Sequence, residues 1–281
     1  MTNKKYSKYE KLVAGVIETY LEACDEDELR IKFLESQGKG KHYELEEKLT
    51  NCADEDPCSS LACKKCNRDF RIEHVAKLVR LYRRYHLKAK VINWKRALNG
   101  KNRQAVRPWY VLTIIDYNRA FTAYDFPSQT DLENTKKRLY SMLNRSGFEG
   151  AIVGAFEIDF HRKEELWLPH FHLIVFPHSG NDDCIETLRN KLKKSQTCHI
   201  KDGRIPRPLM VQEVCDPIEQ FSYIYKLLYA EVIDRKSFKS GGYETKKQRL
   251  EKLLFCEHLC WLDSLRLRKK MLFNYRAKGK V

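Results

Sequence analysis

Apolar and polar positions follow two rhythms along this chain, and the change between them falls near residue 107. Before it the spacing is helical. Leu12, Val13, Val16, Ile17 and Leu21 mark residues 1–50 as mainly helical. Ile72, Val75, Leu78, Val79 and Tyr82 form one stripe of a helix predicted from about Phe70 to Tyr85, whose other face carries Lys77, Arg80, Arg83 and Arg84. The polar stretch Asn99-Gly-Lys-Asn-Arg-Gln, leading to Arg107-Pro108, sets a boundary.

Beyond the boundary the pattern becomes strand-like at Trp109 to Ile115, Ala151 to Phe160, Leu168 to Phe176 and Leu209 to Val214. Helical spacing intervenes at about Thr130 to Leu143 and Ile185 to Lys193, and resumes from Pro217 to Glu231. The order βαββαβ plus a helix predicts an α+β fold, with an antiparallel split βαβ sheet, helices on one face and the second and third strands paired as a hairpin. Residues 234–281 read as helical with a basic end at Arg266, Arg268, Lys269, Lys270, Arg276, Lys278 and Lys280. Four regions result: helical 1–50, cysteine-rich and basic 51–106, the sheet domain 107–232, and a basic helical region 233–281.

Composition narrows the partners. In 281 residues, 42% hydrophobic content suffices for a buried core, and a formal net charge of +15 points to a polyanion, nucleic acid first. No apolar run approaches the roughly 18 residues of a membrane span. The start Met1-Thr-Asn-Lys-Lys-Tyr lacks a secretory signal, so an intracellular, cytoplasmic protein with reduced cysteines is expected. Four of ten cysteines, Cys52, Cys58, Cys63 and Cys66, fall within fifteen residues and are close enough to enclose one Zn²⁺. The Cys63-Lys-Lys-Cys66 knuckle anchors that set, and His74 or His42 could substitute for Cys52. Such a site would hold the Lys77 to Arg84 helix against DNA.

Two further groups carry chemistry. Residues two apart on a strand share a face, so His170 and His172 form a pair at the entry of an apolar strand. The preceding strand offers Glu157 as a third ligand, with Asp159 on the same side as its replacement or assistant. Two nitrogens and a carboxylate, leaving positions for water and a phosphate oxygen, suit Mg²⁺ or Mn²⁺. On the helix after Pro217, Glu219, Tyr223 and Lys226 share a polar side, one turn apart, while Tyr225 and Tyr229 fall with the apolar set. A phenol is a poor nucleophile near neutral pH, so a cation and a polarised phosphate are what Tyr223 would need. Tyr225 and Tyr229, themselves one turn apart, stay open as alternative nucleophiles.

Assembled, residues 52–232 resemble the HUH endonuclease superfamily, in particular rolling-circle initiators of small plasmids and their transposase relatives. The resemblance rests on Val111-Leu-Thr-Ile-Ile-Asp-Tyr117, Pro169-His-Phe-His-Leu173 and Glu219-Gln-Phe-Ser-Tyr-Ile-Tyr-Lys226. The Cys58 to Cys66 spacing before a basic helix is similar to their cysteine motif. The resemblance implies a two-histidine metal site completed by an acidic residue, and attack by Tyr223 on single-stranded or hairpin DNA to give a 5′-phosphotyrosine and a free 3′-hydroxyl. It implies Lys226 as the cation, Glu219 as activator of a terminating water, and host helicase and replication proteins as partners. A single- or two-tyrosine transposase and a non-catalytic zinc-containing nucleic-acid-binding regulator stay open beside it.

Overall fold

The computed structural model describes residues 7–38, 40–195, 207–226, 230–236, 243–265 and 271–276. Its N-terminal part is helical: α1 (Ser7–Val13), α2 (Tyr20–Glu35), α3 (Lys41–Thr50) and α4 (Lys64–Leu98). Thr19 and Glu22 form a reciprocal cap at the start of α2, satisfying backbone donors that the first turn leaves open. Helix α4 is 35 residues long, more than twice the predicted length, and runs past the predicted bounds at both ends. No glycine or proline interrupts residues 64–98, so the helix continues past its apolar stripe until Gly100 takes a left-handed φ of 65°.

The remainder alternates strands and helices: β1 (Tyr110–Ile115), β2 (Phe121–Thr122), α5 (Gln129–Arg145), β3 (Ala151–His161), β4 (Leu166–Val175), α6 (Asn181–Ser195), β5 (Leu209–Glu213), α7 (Pro217–Ile224), β6 (Glu231–Lys236), β7 (Tyr243–Gln248), α8 (Lys252–Ser264) and β8 (Leu272–Arg276). The sheet runs β5-β1-β4-β3-β6-β7, with β2 added to β4 and β8 to β3. The expected hairpin forms, β3 and β4 pairing antiparallel over ten residue pairs.

Three expectations are corrected. The sheet is mixed, because β6 joins β3 in parallel at Phe160 and His161. Helix α7 stops at Ile224 rather than Glu231, since Glu231 and the buried Val232 are taken into β6 between β3 and β7, and strand pairing overrides helical periodicity. The stretch from Asp234 on, expected to be helical, supplies β7 and β8 on either side of α8. Strand β8 alternates buried Phe273 and Tyr275 with exposed neighbours and pairs with Ala151–Ala155, sharing the outer edge of β3 with β6. Of the expected basic end only Arg276 lies within the described residues.

One face of the sheet is apolar. Phe156 and Phe171 meet there with ring centroids 5.1 Å apart, Phe171 meets Phe273 at 5.6 Å, and Tyr140 of α5 covers Tyr275 at 4.7 Å. The other face carries the paired residues Thr113, His172 and Ala155, then Ile115, His170 and Glu157. Against this face α7 is held by α4. Phe221 of α7 is buried among Tyr82 and Trp109, and Arg71 of α4 donates to the Ser222 carbonyl at 3.1 Å. Arg71 also meets Glu18 at 2.5 Å, and Lys64 meets the same carboxylate at 2.7 Å. No helix among the described residues is long and apolar enough to cross a membrane.

Burial would raise the pKa of Glu18, but the charges of Lys64 and Arg71 outweigh it and lower the group to about 2. A depressed carboxylate contributes stability that is present above its unfolded value and lost as pH falls through the folded one. Glu18 should therefore contribute about 3 kcal/mol near neutrality, disappearing between pH 4.5 and 2. Urea midpoints measured against pH should drop through that window for the wild type, with a smaller drop for Glu18→Gln. At Gly154 of β3, an added Cβ would collide with the His172 carbonyl and lie 2.8 Å from the Leu173 Cα. Gly154→Ala should cost about 1–3 kcal/mol in denaturant unfolding, because the central strand pair cannot yield without shifting register contacts.

Candidate functional site

Antiparallel register sets Glu157 of β3 directly opposite His170 of β4, and β1 sets Thr113 opposite His172. Both imidazoles are oriented by their Nδ1 atoms. That of His170 lies 3.1 Å from the Leu168 carbonyl, to which it can only donate, and that of His172 lies 2.9 Å from Thr113 Oγ1. Each Nε2 then turns toward Glu157 Oε2, at 3.5 Å from His170 and 3.2 Å from His172. This is the arrangement in which an outer partner fixes the tautomer and leaves the other nitrogen as a ligand.

Glu157 is wholly buried and both of its oxygens, with His172 Nε2, lack a hydrogen-bond partner. Buried polar atoms left so are costly unless something completes them. Glu157, His170 and His172 could hold one metal ion, their ligand atoms lying within 4.8 Å of one another. Burial opposes the ionisation of Glu157, but the imidazoles of His172 and His170 outweigh it and hold the carboxyl well below its usual range. Burial pulls His172 below its ordinary value, which keeps the Nε2 lone pair available. Asp159 lies 3.8 Å from His170 Nε2 and pairs with Lys247 of β7.

Tyr223 enters the same cavity, of about 740 Å³, from the opposite wall. Asp216 caps α7 by accepting from Ile218 and Glu219 N–H groups at 3.0 Å, and Pro217 occupies the first turn. With Phe221 buried against Tyr82 of α4, and Ile224 buried as well, Tyr223 meets the His172 ring edge-on at 5.0 Å. Glu219 lines the cavity beside it. Lys226 lies beyond the helix end, and its ammonium sits 3.8 Å over the face of the Tyr223 ring. Burial raises the pKa of the Tyr223 phenol, Lys247 opposes this by charge and hydrogen bond, and Glu157 and Asp159 add to the rise.

Tyr225 is not at the site. It is buried on the α4 side, with Phe70 at 6.4 Å and His74 at 5.7 Å. Tyr229 lies outside the described residues. Sequence reasoning missed Thr113 and Lys247. Thr113 was visible as a polar residue inside the apolar β1, whereas nothing local distinguishes Lys247 among its charged neighbours.

The cysteine group closes on itself. Cys52 Sγ lies 3.7 Å from those of Cys63 and Cys66, and Cys58 lies 3.8 Å from Cys66. These separations are far beyond a disulfide bond, and the four thiols could together hold one metal ion. Cys63 caps α4, its sulfur accepting from the Cys66 N–H at 3.4 Å, and Asp27 accepts from the N–H groups of Lys64 and Lys65. His74 and His42 are engaged elsewhere, His74 on Phe70 and His42 on Glu257 at 3.1 Å. On the basic face of α4, Lys77 pairs with Glu73 and Arg80 lies over the Tyr9 ring, while Arg83 and Arg84 are exposed.

Titration of the chain with Mn²⁺ by calorimetry should give one event that His172→Ala removes. Thr113→Val, which leaves the ligands intact but releases the His172 ring, should weaken that event by about 10- to 100-fold. Neither the family models, nor the curated proteins, nor the solved structures compared with this chain match it.

Proposed function

We propose that this protein is a metal-dependent single-strand DNA nickase and joinase with Tyr223 as nucleophile, acting as a rolling-circle replication initiator. The observation that carries this reading is the shared cavity, which Tyr223, His170 and His172 all line, with the Tyr223 ring against His172 and Glu157 buried behind the two histidines. A tyrosine poised over a buried, incomplete His-His-Glu set suits phosphoryl transfer better than packing, since 41% of the residue remains exposed.

Glu157, His170 and His172 would hold Mg²⁺ or Mn²⁺, whose chemistry there is to polarise the scissile phosphate as a Lewis acid. The Tyr223 oxygen attacks phosphorus, the bond to the 3′-oxygen breaks, and the phenolic proton is balanced by protonation of that leaving oxygen. The products are a 5′-phosphotyrosine and a 3′-hydroxyl, and reversal rejoins the strand. Lys247 opposes the rise that burial imposes on the Tyr223 phenol, and Lys247 and Lys226 together place positive charge where it favours the charge that develops on the phosphate. Glu219 can take a proton from water that hydrolyses the phosphotyrosine and ends the cycle. The burial of Tyr225 speaks against that residue as a second nucleophile, which favours an initiator over a transposase that would use it.

Zn²⁺ suits the cysteine group, because Zn–S bonds of about 2.3 Å give a tetrahedron with edges of about 3.8 Å, close to the sulfur separations of 3.7–3.8 Å. Its role is structural, setting the first turn of the helix that supports α7. Single-stranded or hairpin DNA is the substrate, and the strand opened by the nick would be passed to helicase and replication proteins of the host.

With Mn²⁺ and labelled hairpin DNA, the wild type should form a denaturant-resistant protein–DNA adduct. Tyr223→Phe should abolish it and Tyr225→Phe should retain it. An adduct that persists in Tyr223→Phe would move the nucleophile elsewhere, and no adduct in any form would remove the enzyme reading.

A further inference from the structure

A second cavity, of about 470 Å³, adjoins the first, and Lys247 belongs to the walls of both. Lys226, whose ammonium covers Tyr223, lines the second cavity as well. Nothing in the reaction described above uses this space.

Its walls combine two chemistries. The floor is apolar, made by Leu61, Phe255, Leu259 and Leu262. The sides carry an excess of positive charge. Glu26 is shared by Arg249 at 2.7 Å and Arg30 at 3.2 Å, so one carboxylate serves two guanidiniums. Glu18, behind the wall, is shared in the same way by Lys64 and Arg71. Lys226 and Lys247 add two ammonium groups, against which stand Asp159, already paired with Lys247, and Glu22, engaged in the cap of α2. Both guanidiniums also lie over the Phe255 ring, Arg249 at 5.5 Å and Arg30 at 5.9 Å. A surplus of cations around an apolar and aromatic floor fits a unit that is anionic at one end and flat and apolar at the other. A nucleotide has that form, and cations that follow the backbone are part of how single strands are held without base readout.

We infer that the second cavity is a subsite for a nucleotide flanking the scissile phosphate, its phosphate on Lys247 and Arg249 and its base over the apolar wall of Leu61, Phe255, Leu259 and Leu262. This rests on the nickase reading. A strand cut at Tyr223 must leave the first cavity on both sides of the cut, and the shared Lys247 wall opens one of those exits into a site of matching charge.

The subsite can be tested without nicking, by fluorescence anisotropy of the full chain with labelled dT12, without added divalent cation or chelator, across a salt series. Arg249→Ala should weaken binding several-fold and reduce the slope of log K against log salt by about 0.7, one single-strand phosphate. Arg249→Lys should restore most of the slope, and Glu26→Gln, which breaks the pair but keeps the Arg249 cation, should leave the slope at least as steep, which a purely structural role for the pair would not do. A dT12 carrying one 4-thiothymidine should photocrosslink to the Phe255–Leu262 segment. Unchanged affinity and slope in Arg249→Ala, with crosslinks elsewhere, would overturn the subsite. If dTMP abolishes the crosslink at concentrations that leave dT12 bound, the cavity takes free nucleotide and the flanking role is overturned. The nickase reading fails separately: binding and crosslinks as expected, but no adduct with Mn²⁺, would remove catalysis and leave a single-strand binding site.

Discussion

Glu157 faces His170 because β3 and β4 pair in one register, and every other feature of the site is arranged around that pairing. A slip of one residue would turn Phe156 and Ile158 toward the histidines and Glu157 into the aromatic layer beneath, so the apolar face and the polar face enforce each other. Gly154 tightens the constraint, since the strand pair at this point leaves no room for a side chain against the His172 backbone. The edges of the pair are filled from distant parts of the chain, β1 beside β4 and both β6 and β8 beside β3. The central hairpin is thereby held from both sides, which is what a set of ligands contributed by two strands requires.

The tyrosine is held by different means. Its helix is short, eight residues, and its position comes from contacts to α4 rather than from its own length. Arg71 links three parts at once: Glu18 at the entry to α2, the α4 backbone on which it stands, and the Ser222 carbonyl next to Tyr223. The cysteine group and Asp27 set the first turn of α4 only two turns earlier. A change at the cysteines can thus reach Tyr223 through one rigid element, without either group touching the other. The N-terminal helical region is in this sense part of the site's scaffold, although none of its described residues lines the cavity of His170 and His172.

What the sequence disclosed and what it concealed follow from the range of the interactions involved. His170 and His172 were legible because alternation on a strand is local, and Tyr223 because a helix of even two turns separates Phe221 and Ile224 from it. The four cysteines were legible by proximity alone. Tyr225 was legible as a packing residue for the same reason, and its burial against Phe70 and His74 agrees with that pattern. The end of α7 was not legible, because the pairing that draws Glu231 and Val232 into β6 involves partners about seventy residues earlier in β3. Phe273 and Tyr275 were hidden in a basic stretch, where two apolar residues at alternate positions cannot outweigh their neighbours until Gly154 and Ile152 are known to lie opposite. Lys247 was beyond reach entirely, since only the sheet order gives it a different setting from Lys246.

The polar face also bears on stability. A carboxylate with no exposure and no hydrogen-bond partner on either oxygen opposes folding by several kcal/mol, unless opposite charge or a cation stands beside it. In the chain itself the compensation comes from two imidazoles, which reach only one of the oxygens, Oε2. A cation shared by all three ligands would relieve the remaining cost, and because that relief exists only in the folded chain, its binding would add to the stability of the fold. The hairpin that carries the ligands therefore has to be secured independently of them. The aromatic layer of Phe156, Phe171 and Phe273 on the reverse of the same strands does this, so that the face which carries Glu157, His170 and His172 is held by the face which excludes water.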